Sequence, residues 1–108
     1  MNISCEESLK ELYKSFNSSA AANLNACYLF DISGNSGGQW SLNIKNGTCE
    51  LGGKVDNPSV KISITDKDWL EIYKGNMNSQ MAFMMGKLRV EGDMSLALKL
   101  QSLFPGPS

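Results

Sequence analysis

The sequence contains no histidine, the side chain that most often acts as a general base or binds a transition metal near neutral pH. It has only three cysteines, and Cys5, Cys27 and Cys49 show neither the even number nor the C-x-x-C spacing that indicates a disulfide framework or a zinc site. We interpret them as small buried apolar side chains in a reducing compartment. The composition therefore predicts no metal site and no cofactor.

The chain also lacks long apolar runs and clustered basic residues. No stretch of about 18 apolar residues occurs, so no transmembrane helix is predicted. Lys and Arg are scattered and the formal net charge is −1, which argues against nucleic acid as a partner because phosphate binding needs a basic patch. The N-terminal residues MNISCEE are acidic and lack the basic and apolar regions of a signal peptide. We therefore expect an intracellular protein.

Candidate catalytic groups are few. Asp66 and Asp68 are close in sequence, but they lie at a predicted helix start, where a cap and a dipole partner are the simpler interpretation. Ser79 has no base partner that the sequence reveals. The glycine-rich residues 34–38 join two predicted strands rather than a strand and a helix, so they do not form a phosphate cradle. We predict that the chain is not an enzyme.

Helical patterns occur at the start of the chain and in its second half. Ser4 and Glu7 have the spacing of a capping box, and the apolar spacing that follows predicts an amphipathic helix over residues 5–16. Residues 20–25 are a candidate short helical piece. Thr65 and Asp68 repeat the capping-box pattern and open a helix that ends at Gly75. A methionine-rich helix follows, and a last helix runs from residue 93 to residue 104.

Alternating apolar and polar residues predict the strands. The period of two covers residues 26–33, 40–45, 49–51, 60–64 and 88–90, and Asn46-Gly47 predicts a tight hairpin turn. Strands with one apolar and one polar face form a sheet that is wet on one side and covered on the other. We therefore predict one α+β domain over residues 1–108, with a five-stranded, largely antiparallel sheet covered on one face by about four or five helices.

The two C-terminal helices carry more apolar surface than one small core needs. Met77, Met81, Met84 and Met85 recur at i, i+4, i+7 and i+8, and the last helix is apolar around most of its circumference. A helix that is apolar all round must be covered on all sides or must line something apolar. Methionine suits walls that repack around ligands of variable shape. The spacing alone leaves both core packing and a cavity wall open.

The C-terminal segments contain two motifs, G-x-M-N-x-Q-x-A-F-x-x-G-K-L over residues 75–88 and G-x-M-x-L-A-x-K-L-Q over residues 92–101. T-D-x-D-W-L over residues 65–70, Trp40 and the turn at Lys45-Asn46-Gly47 extend this pattern toward the N-terminus. In these motifs the chain resembles the sterol carrier protein 2 family, the nonspecific lipid-transfer proteins. The resemblance implies a five-stranded α+β domain whose sheet face and helices enclose an apolar tunnel. It further implies non-covalent binding of fatty acids, acyl-CoA esters, sterols and phospholipids.

Two departures from the family pattern affect these expectations. Relatives often carry a polar residue, commonly Gln, where this chain has Met85, so we expect this part of the cavity to be drier. Peroxisomal members end in a tripeptide like S-K-L, whereas this sequence ends Gly106-Pro107-Ser108 without such a tag. We expect a cytoplasmic or peroxisomal location.

The resulting hypothesis is a small monomeric domain that binds lipids such as fatty acids, acyl-CoA or sterols in a hydrophobic tunnel, with transient membrane contact. Both transfer and storage of the lipid stay open as its role. The predicted floor on the sheet comprises Phe30, Trp40, Leu42, Val60, Ile62 and Ile64. The predicted roof and mouth comprise Met77, Met81, Phe83, Met84, Met85, Met94, Leu98 and Leu103.

Two alternatives stay open at this point. The strand residues of the predicted floor could be plain core. The domain could also be an appended interaction or regulatory module of a larger protein. In that case its apolar C-terminal helix would dock a partner through Leu96, Leu100 and Leu103.

Overall fold

The computed structural model describes residues 4–21 and 23–103, except for the side chains of residues 101 and 102. The order of elements agrees with the predicted order of a helix, four strands, two helices, a strand and a helix. These are α1 (Cys5–Lys14), β1 (Ala26–Ser33), β2 (Gly38–Lys45), β3 (Thr48–Gly52), β4 (Val60–Thr65), α2 (Asp66–Tyr73), α3 (Ser79–Met84), β5 (Arg89–Gly92) and α4 (Met94–Leu103). The predicted end of the last helix at residue 104 lies outside the described residues.

Local hydrogen bonds explain where the helices begin and end. The hydroxyl of Ser4 accepts from the backbone N–H of Glu7 at 3.1 Å, and that of Thr65 accepts from Asp68 at 3.3 Å, so both predicted capping boxes start helices. Helix α1 ends at Lys14, earlier than the predicted residue 16. The described part of residues 20–25 forms turns rather than the predicted helical piece, because Asn23 has φ of 67° and interrupts helical bonding.

The five-stranded sheet has the order β3-β2-β1-β4-β5. The pairs β1–β2, β2–β3 and β4–β5 are antiparallel, whereas β1 and β4 are parallel, so the sheet is largely antiparallel as predicted. The β2–β3 turn has φ of 53° at Asn46 and 76° at Gly47, which is the positive φ that a tight hairpin of this type requires. The parallel pair arises because the chain leaves β3 and returns to the free edge of β1.

The strand register places the apolar side chains on one face. Phe30 lies opposite both Trp40 and Ile62, and Tyr28 lies opposite Leu42 and Val60. The helices cover this face: α1 packs against β2 and β3, α2 against β1 and β4, and α4 against β4 and β5. The other face carries mostly polar side chains, with Leu29 as a buried apolar exception, and an ion pair joins Lys61 to Asp31 there at 3.6 Å.

A buried contact ties the first two helices to the centre of the sheet. The rings of Phe30 on β1 and Trp69 on α2 meet edge to face, with centroids 5.4 Å apart. The indole N–H of Trp69 donates to the hydroxyl of Ser8 on α1 at 2.6 Å, and that hydroxyl donates to the carbonyl of Cys5 at 2.7 Å. Because Ser8 is fully buried, water cannot replace either bond.

The change Ser8→Ala should therefore destabilise the fold. It leaves the buried indole N–H of Trp69 without a partner, and such a group costs about 1–3 kcal/mol. Each kcal/mol should lower the melting temperature by about 4–8 °C for a domain of this size. A thermal melt measures the effect.

A double-mutant cycle supplies the control for this prediction. Trp69→Phe removes the indole N–H, so Ser8→Ala combined with Trp69→Phe should cost clearly less than the sum of the two single changes. Strictly additive costs would contradict the assigned bond.

Candidate functional site

Helix α3 is a short element with well-defined ends. The side-chain carbonyl of Asn78 accepts from the backbone N–H groups of Gln80 at 2.8 Å and Met81 at 3.4 Å. Gly86, with φ of 79°, ends the helix, and the carbonyl of Ala82 accepts from the N–H groups of Lys87 and Leu88 at 2.9 and 3.1 Å. These bonds fix α3 beside the start of β5.

The large side chains of α3 point outward. The exposed fraction is 84% for Met84, 63% for Met85, 59% for Met81 and 42% for Phe83. Ala82 is the buried residue of this helix. We call Met81, Phe83, Met84 and Met85 the α3 patch. Met77, which precedes the helix, is half-buried.

Helix α4 has an inner and an outer side. Asp93 caps it, and its carboxylate accepts from the backbone N–H of Ser95 at 2.9 Å. Met94 and Leu98 are exposed, at 44% and 70%, while Leu103 is buried at 1%. Because α4 is only weakly amphipathic, its sequence did not show which side would face the core.

Two long-range hydrogen bonds attach α4 to the rest of the protein. The hydroxyl of Tyr28 on β1 donates to the backbone carbonyl of Leu96 at 2.6 Å, and the N–H of Asn17 donates to the carbonyl of Leu103 at 2.8 Å. No role for Tyr28 was predicted from the sequence. The signal was present, because a tyrosine within an apolar strand pattern needs a partner for its hydroxyl.

The structure brings the predicted floor together. Five of its side chains are at most 4% exposed and belong to one core cluster with Leu103, namely Phe30, Leu42, Val60, Ile62 and Ile64. The sixth, Trp40, is half-buried and packs against this cluster. The predicted roof is divided. Leu103 joins the floor in the core, whereas the α3 patch, Met94 and Leu98 face outward.

The alternative hypothesis, an interaction module, expects Leu96, Leu100 and Leu103 to be exposed for docking, but the structure buries them wholly or in part. Leu96 and Leu103 lie in the core at 9% and 1% exposure, and Leu100 is half-buried against it. A partner could not contact them while α4 lies on the sheet. The outward residues Met94 and Leu98 would have to form such a surface instead.

Two polar clefts near the β2–β3 turn were not predicted from the sequence. One, of about 660 Å³, is lined by Ser18, Ser19, Asn23, Asn25, Asn46 and Gly47. The other, of about 450 Å³, is lined by Asn43, Lys45, Asn46, Thr48 and Glu50. The hydroxyl, amide and charged groups that line these clefts do not suit the apolar part of a lipid. The apolar face of the sheet and the C-terminal helices are therefore the better candidate for the predicted lipid site.

The ionisable groups of the site are shifted by burial and hydrogen bonding. Burial, with a smaller effect of Asp93, raises the pKa of Tyr28 to about 12, so its hydroxyl remains a donor at neutral pH. Hydrogen bonds from Ser95 lower the pKa of Asp93, which therefore stays ionised at the start of α4. Burial, followed by the charge of Glu50, raises the pKa of Cys49 to about 11, so this thiol is protonated near neutral pH.

Asp66 and Asp68 lie in the first turn of α2, where the dipole-partner interpretation places them, but the N-cap is Thr65 rather than either aspartate. The carboxylate of Asp66 accepts from the backbone N–H of Ser36 at 3.0 Å, which joins the β1–β2 loop to the start of α2. Asp68 lies in the first turn of the same helix. Over residues 4–21 and 23–103, no group of three or more His, Cys, Asp or Glu is arranged to hold a metal ion. No helix in that part of the chain is long and apolar enough to cross a membrane.

Comparison with known proteins gives consistent matches. The sequence model of the SCP-2 sterol transfer family matches residues 7–105. Hydroxysteroid dehydrogenase-like protein 2 of Homo sapiens is 36% identical over 100 residues, covering 91% of this chain and 24% of that protein. Peroxisomal multifunctional enzyme A of Dictyostelium discoideum is 38% identical over 86 residues, covering 77% of this chain and 20% of that protein. The chain thus spans about a quarter or less of these relatives.

A solved structure shows the same fold. The solution structure of palmitated SCP2L2 from Aedes aegypti matches 93% of this chain and 93% of its own, with a TM-score of 0.75 and 22% sequence identity.

The contact between Tyr28 and Leu96 predicts a dependence of stability on alkaline pH. The pKa of Tyr28 is raised from 10 to about 12 on folding, so its contribution is fully present below pH 10 and is lost as the pH rises through 12. Chemical denaturation across this range should show stability falling in the wild type and falling less in Tyr28→Phe. Both proteins keep the same cysteines and lysines, so their difference isolates Tyr28. Equal slopes would refute the role of this phenol.

Proposed function

Because this chain belongs to the SCP-2 sterol transfer family, we propose that it binds one apolar lipid and does not transform it chemically. The proposed ligands are fatty acids, acyl-CoA esters and sterols. The palmitate of the Aedes aegypti structure supports a long acyl chain as one ligand, since the two proteins share the fold. The bound lipid could be stored or carried between membranes, and we propose transfer as the role.

The observation that carries this proposal is the outward apolar surface of α3 and α4. A small domain normally buries side chains as large as Met84 and Leu98, yet these are 84% and 70% exposed. Large exposed apolar surfaces mark ligand or interaction sites. These exposed residues lie on α3 and α4, the helices that precede and follow the edge strand β5 in the chain.

We propose that the lipid lies between this sheet face and the C-terminal helices. The floor would be Phe30, Trp40, Leu42, Val60, Ile62 and Ile64, and the roof and mouth would be Met77, the α3 patch, Met94, Leu98 and Leu103. An empty, rigid cavity of about 300 Å³ would cost about 7 kcal/mol, at about 24 cal/mol per Å³. That is comparable with the whole stability of a domain, about 5–15 kcal/mol. The ligand-free chain therefore closes its helices on the sheet and opens them for the lipid.

Selection of the ligand would depend on volume and apolarity. The proposed floor and roof present thioether, aliphatic and aromatic groups, and Met85 replaces the amide that relatives often carry. An apolar pocket separates ligands that differ by one methylene by only about 1–3 kcal/mol. Broad specificity follows from this composition.

A second candidate function is suggested by the lengths of the relatives. The human relative, whose name describes it as dehydrogenase-like, is about four times as long as the matched region. The domain could accordingly serve as an appended module that docks a neighbouring domain through Met94 and Leu98. The Dictyostelium relative is named as peroxisomal, which favours the peroxisome over the cytoplasm as the compartment.

The change Met85→Gln tests the roof. Since this side chain is 63% exposed in the closed form, the polar amide stays hydrated and stability should change by less than about 0.5 kcal/mol. The affinity for a fluorescent long-chain fatty acid should fall several-fold, because the amide loses water when the roof covers the ligand. Met85→Leu is the matched control and should bind normally. Unchanged affinity with a sharply lower melting temperature would place Met85 in the core.

Ligand binding should also stabilise the whole chain. A lipid present at about a hundred times its dissociation constant contributes about 2.7 kcal/mol. The melting temperature of delipidated protein should then rise by about 4–8 °C for each kcal/mol. Palmitate and a sterol are suitable ligands, and butyrate, which is too short to fill the site, is the control. The absence of a shift with any long apolar ligand would argue for the appended-module function.

A further inference from the structure

The segment that carries the α3 patch has an unusual distribution of charge. Residues 75–86 contain no Asp, Glu, Lys or Arg, and the segment lies between Lys74 and Lys87, which are both exposed. The nearest acidic side chain before it in sequence, Glu71, accepts a hydrogen bond from the side chain of Asn76 at 3.0 Å. An uncharged apolar surface thus has a lysine at each end.

Hydrogen bonds hold this segment in one conformation at both ends. The backbone N–H groups of Asn76 and Met77 donate to the carbonyl of Glu71 at 2.9 and 3.2 Å. At the other end, the N–H groups of Lys87 and Leu88 donate to the carbonyl of Ala82. The segment therefore presents Met81, Met84 and Met85, spaced at i, i+3 and i+4, on one side of a fixed turn of helix.

We propose that the α3 patch docks on an anionic lipid bilayer. Its methionine and phenylalanine side chains would enter the boundary between headgroups and acyl chains, as the apolar side of an interfacial helix does. Lys74 and Lys87 would contact anionic headgroups while their alkyl stems lie along the apolar region. This inference extends the proposed lipid binding, because docking would place the mouth of the lipid site against the membrane that supplies or receives the ligand.

Charge favours a bilayer over a second copy of the chain as the occupant. In a symmetric contact the same patch faces itself, and Lys74 and Lys87 of both copies would gather around one small interface, where like charges repel. On an anionic bilayer, the two lysines of each copy are instead attracted to the headgroups. The exposed surface of α1 is a weaker candidate for an anionic bilayer, since Glu6, Glu7 and Glu11 outnumber Lys10 and Lys14 there.

Vesicle flotation with the full chain tests the proposal. The probes are vesicles of phosphatidylcholine alone and vesicles of phosphatidylcholine with phosphatidylserine. We expect stronger binding to the phosphatidylserine vesicles and a decrease of binding as salt is added. The double change Lys74→Gln and Lys87→Gln should weaken binding by about fivefold for each lysine lost. Met84→Gln should weaken binding to both kinds of vesicle, with an unchanged melting temperature showing that it folds.

The matched control is the double change Lys45→Gln and Lys54→Gln. It removes the same charge near β3, at the sheet edge opposite β5, and should leave vesicle binding intact. Equal losses in the two double variants, or no binding of wild-type protein to either vesicle, would overturn the proposal. Sedimentation analysis tests the alternative occupant. If the wild type forms a dimer that Met84→Gln dissociates, and does not bind vesicles, the occupant of the α3 patch is a second copy and the proposal of bilayer docking is overturned.

Binding of a fluorescent fatty acid in solution separates this inference from the proposed function. The Lys74→Gln and Lys87→Gln protein should bind the fatty acid as the wild type does, since neither lysine belongs to the proposed lipid site. Vesicle binding without fatty acid binding would count against lipid binding and support docking. Fatty acid binding without vesicle binding would support lipid binding and overturn docking.

Discussion

The apolar face of the sheet can be kept from water only by helices, and the rest of the structure depends on this constraint. Phe30 lies at its centre, between Trp40 and Ile62 in the strand register and in edge contact with Trp69. Each covering helix is attached by a buried polar bond as well as by packing, with Ser8 linking α1 to α2 and Tyr28 linking β1 to α4. Apolar area supplies the driving force, and the directional bonds determine where each helix lies.

The division between inner and outer apolar residues connects this packing to function. Leu103 and the strand residues satisfy the core, so the α3 patch, Met94 and Leu98 are not needed to close it. Residues that a core does not need are free to contact a ligand or a surface. Methionine suits both roles because its flexible side chain adapts to partners without fixed shape, such as acyl chains. Membership of a lipid-transfer family and the direction of these side chains therefore have a common physical basis.

Features that depend on local chemistry could be predicted from the sequence. The caps at Ser4 and Thr65 and the turn at Asn46 each involve a few neighbouring residues, and the strand alternation defined the apolar face. The parallel pairing of β1 with β4 could not be predicted, because alternation carries no information on strand direction. The methionine spacing predicted one helical side with Met77, Met81, Met84 and Met85, but α3 begins at Ser79, so Met77 lies before it. The spacing could not show that Met81, Met84 and Met85 face outward, because that depends on how α3 packs, with Ala82 as its buried residue.

The parallel pairing of β1 with β4 has a consequence for the nascent chain. The β1–β2–β3 hairpins can form early during synthesis, but Phe30 then lacks both its strand neighbour Ile62 and its cover Trp69. The hydrogen bond of the Tyr28 hydroxyl forms later still, because its acceptor, the carbonyl of Leu96, lies near the end of the described residues. During this interval the sheet exposes its apolar face and the edge of β1, which are the features that promote aggregation. The domain can therefore complete its fold only after α4 has been synthesised.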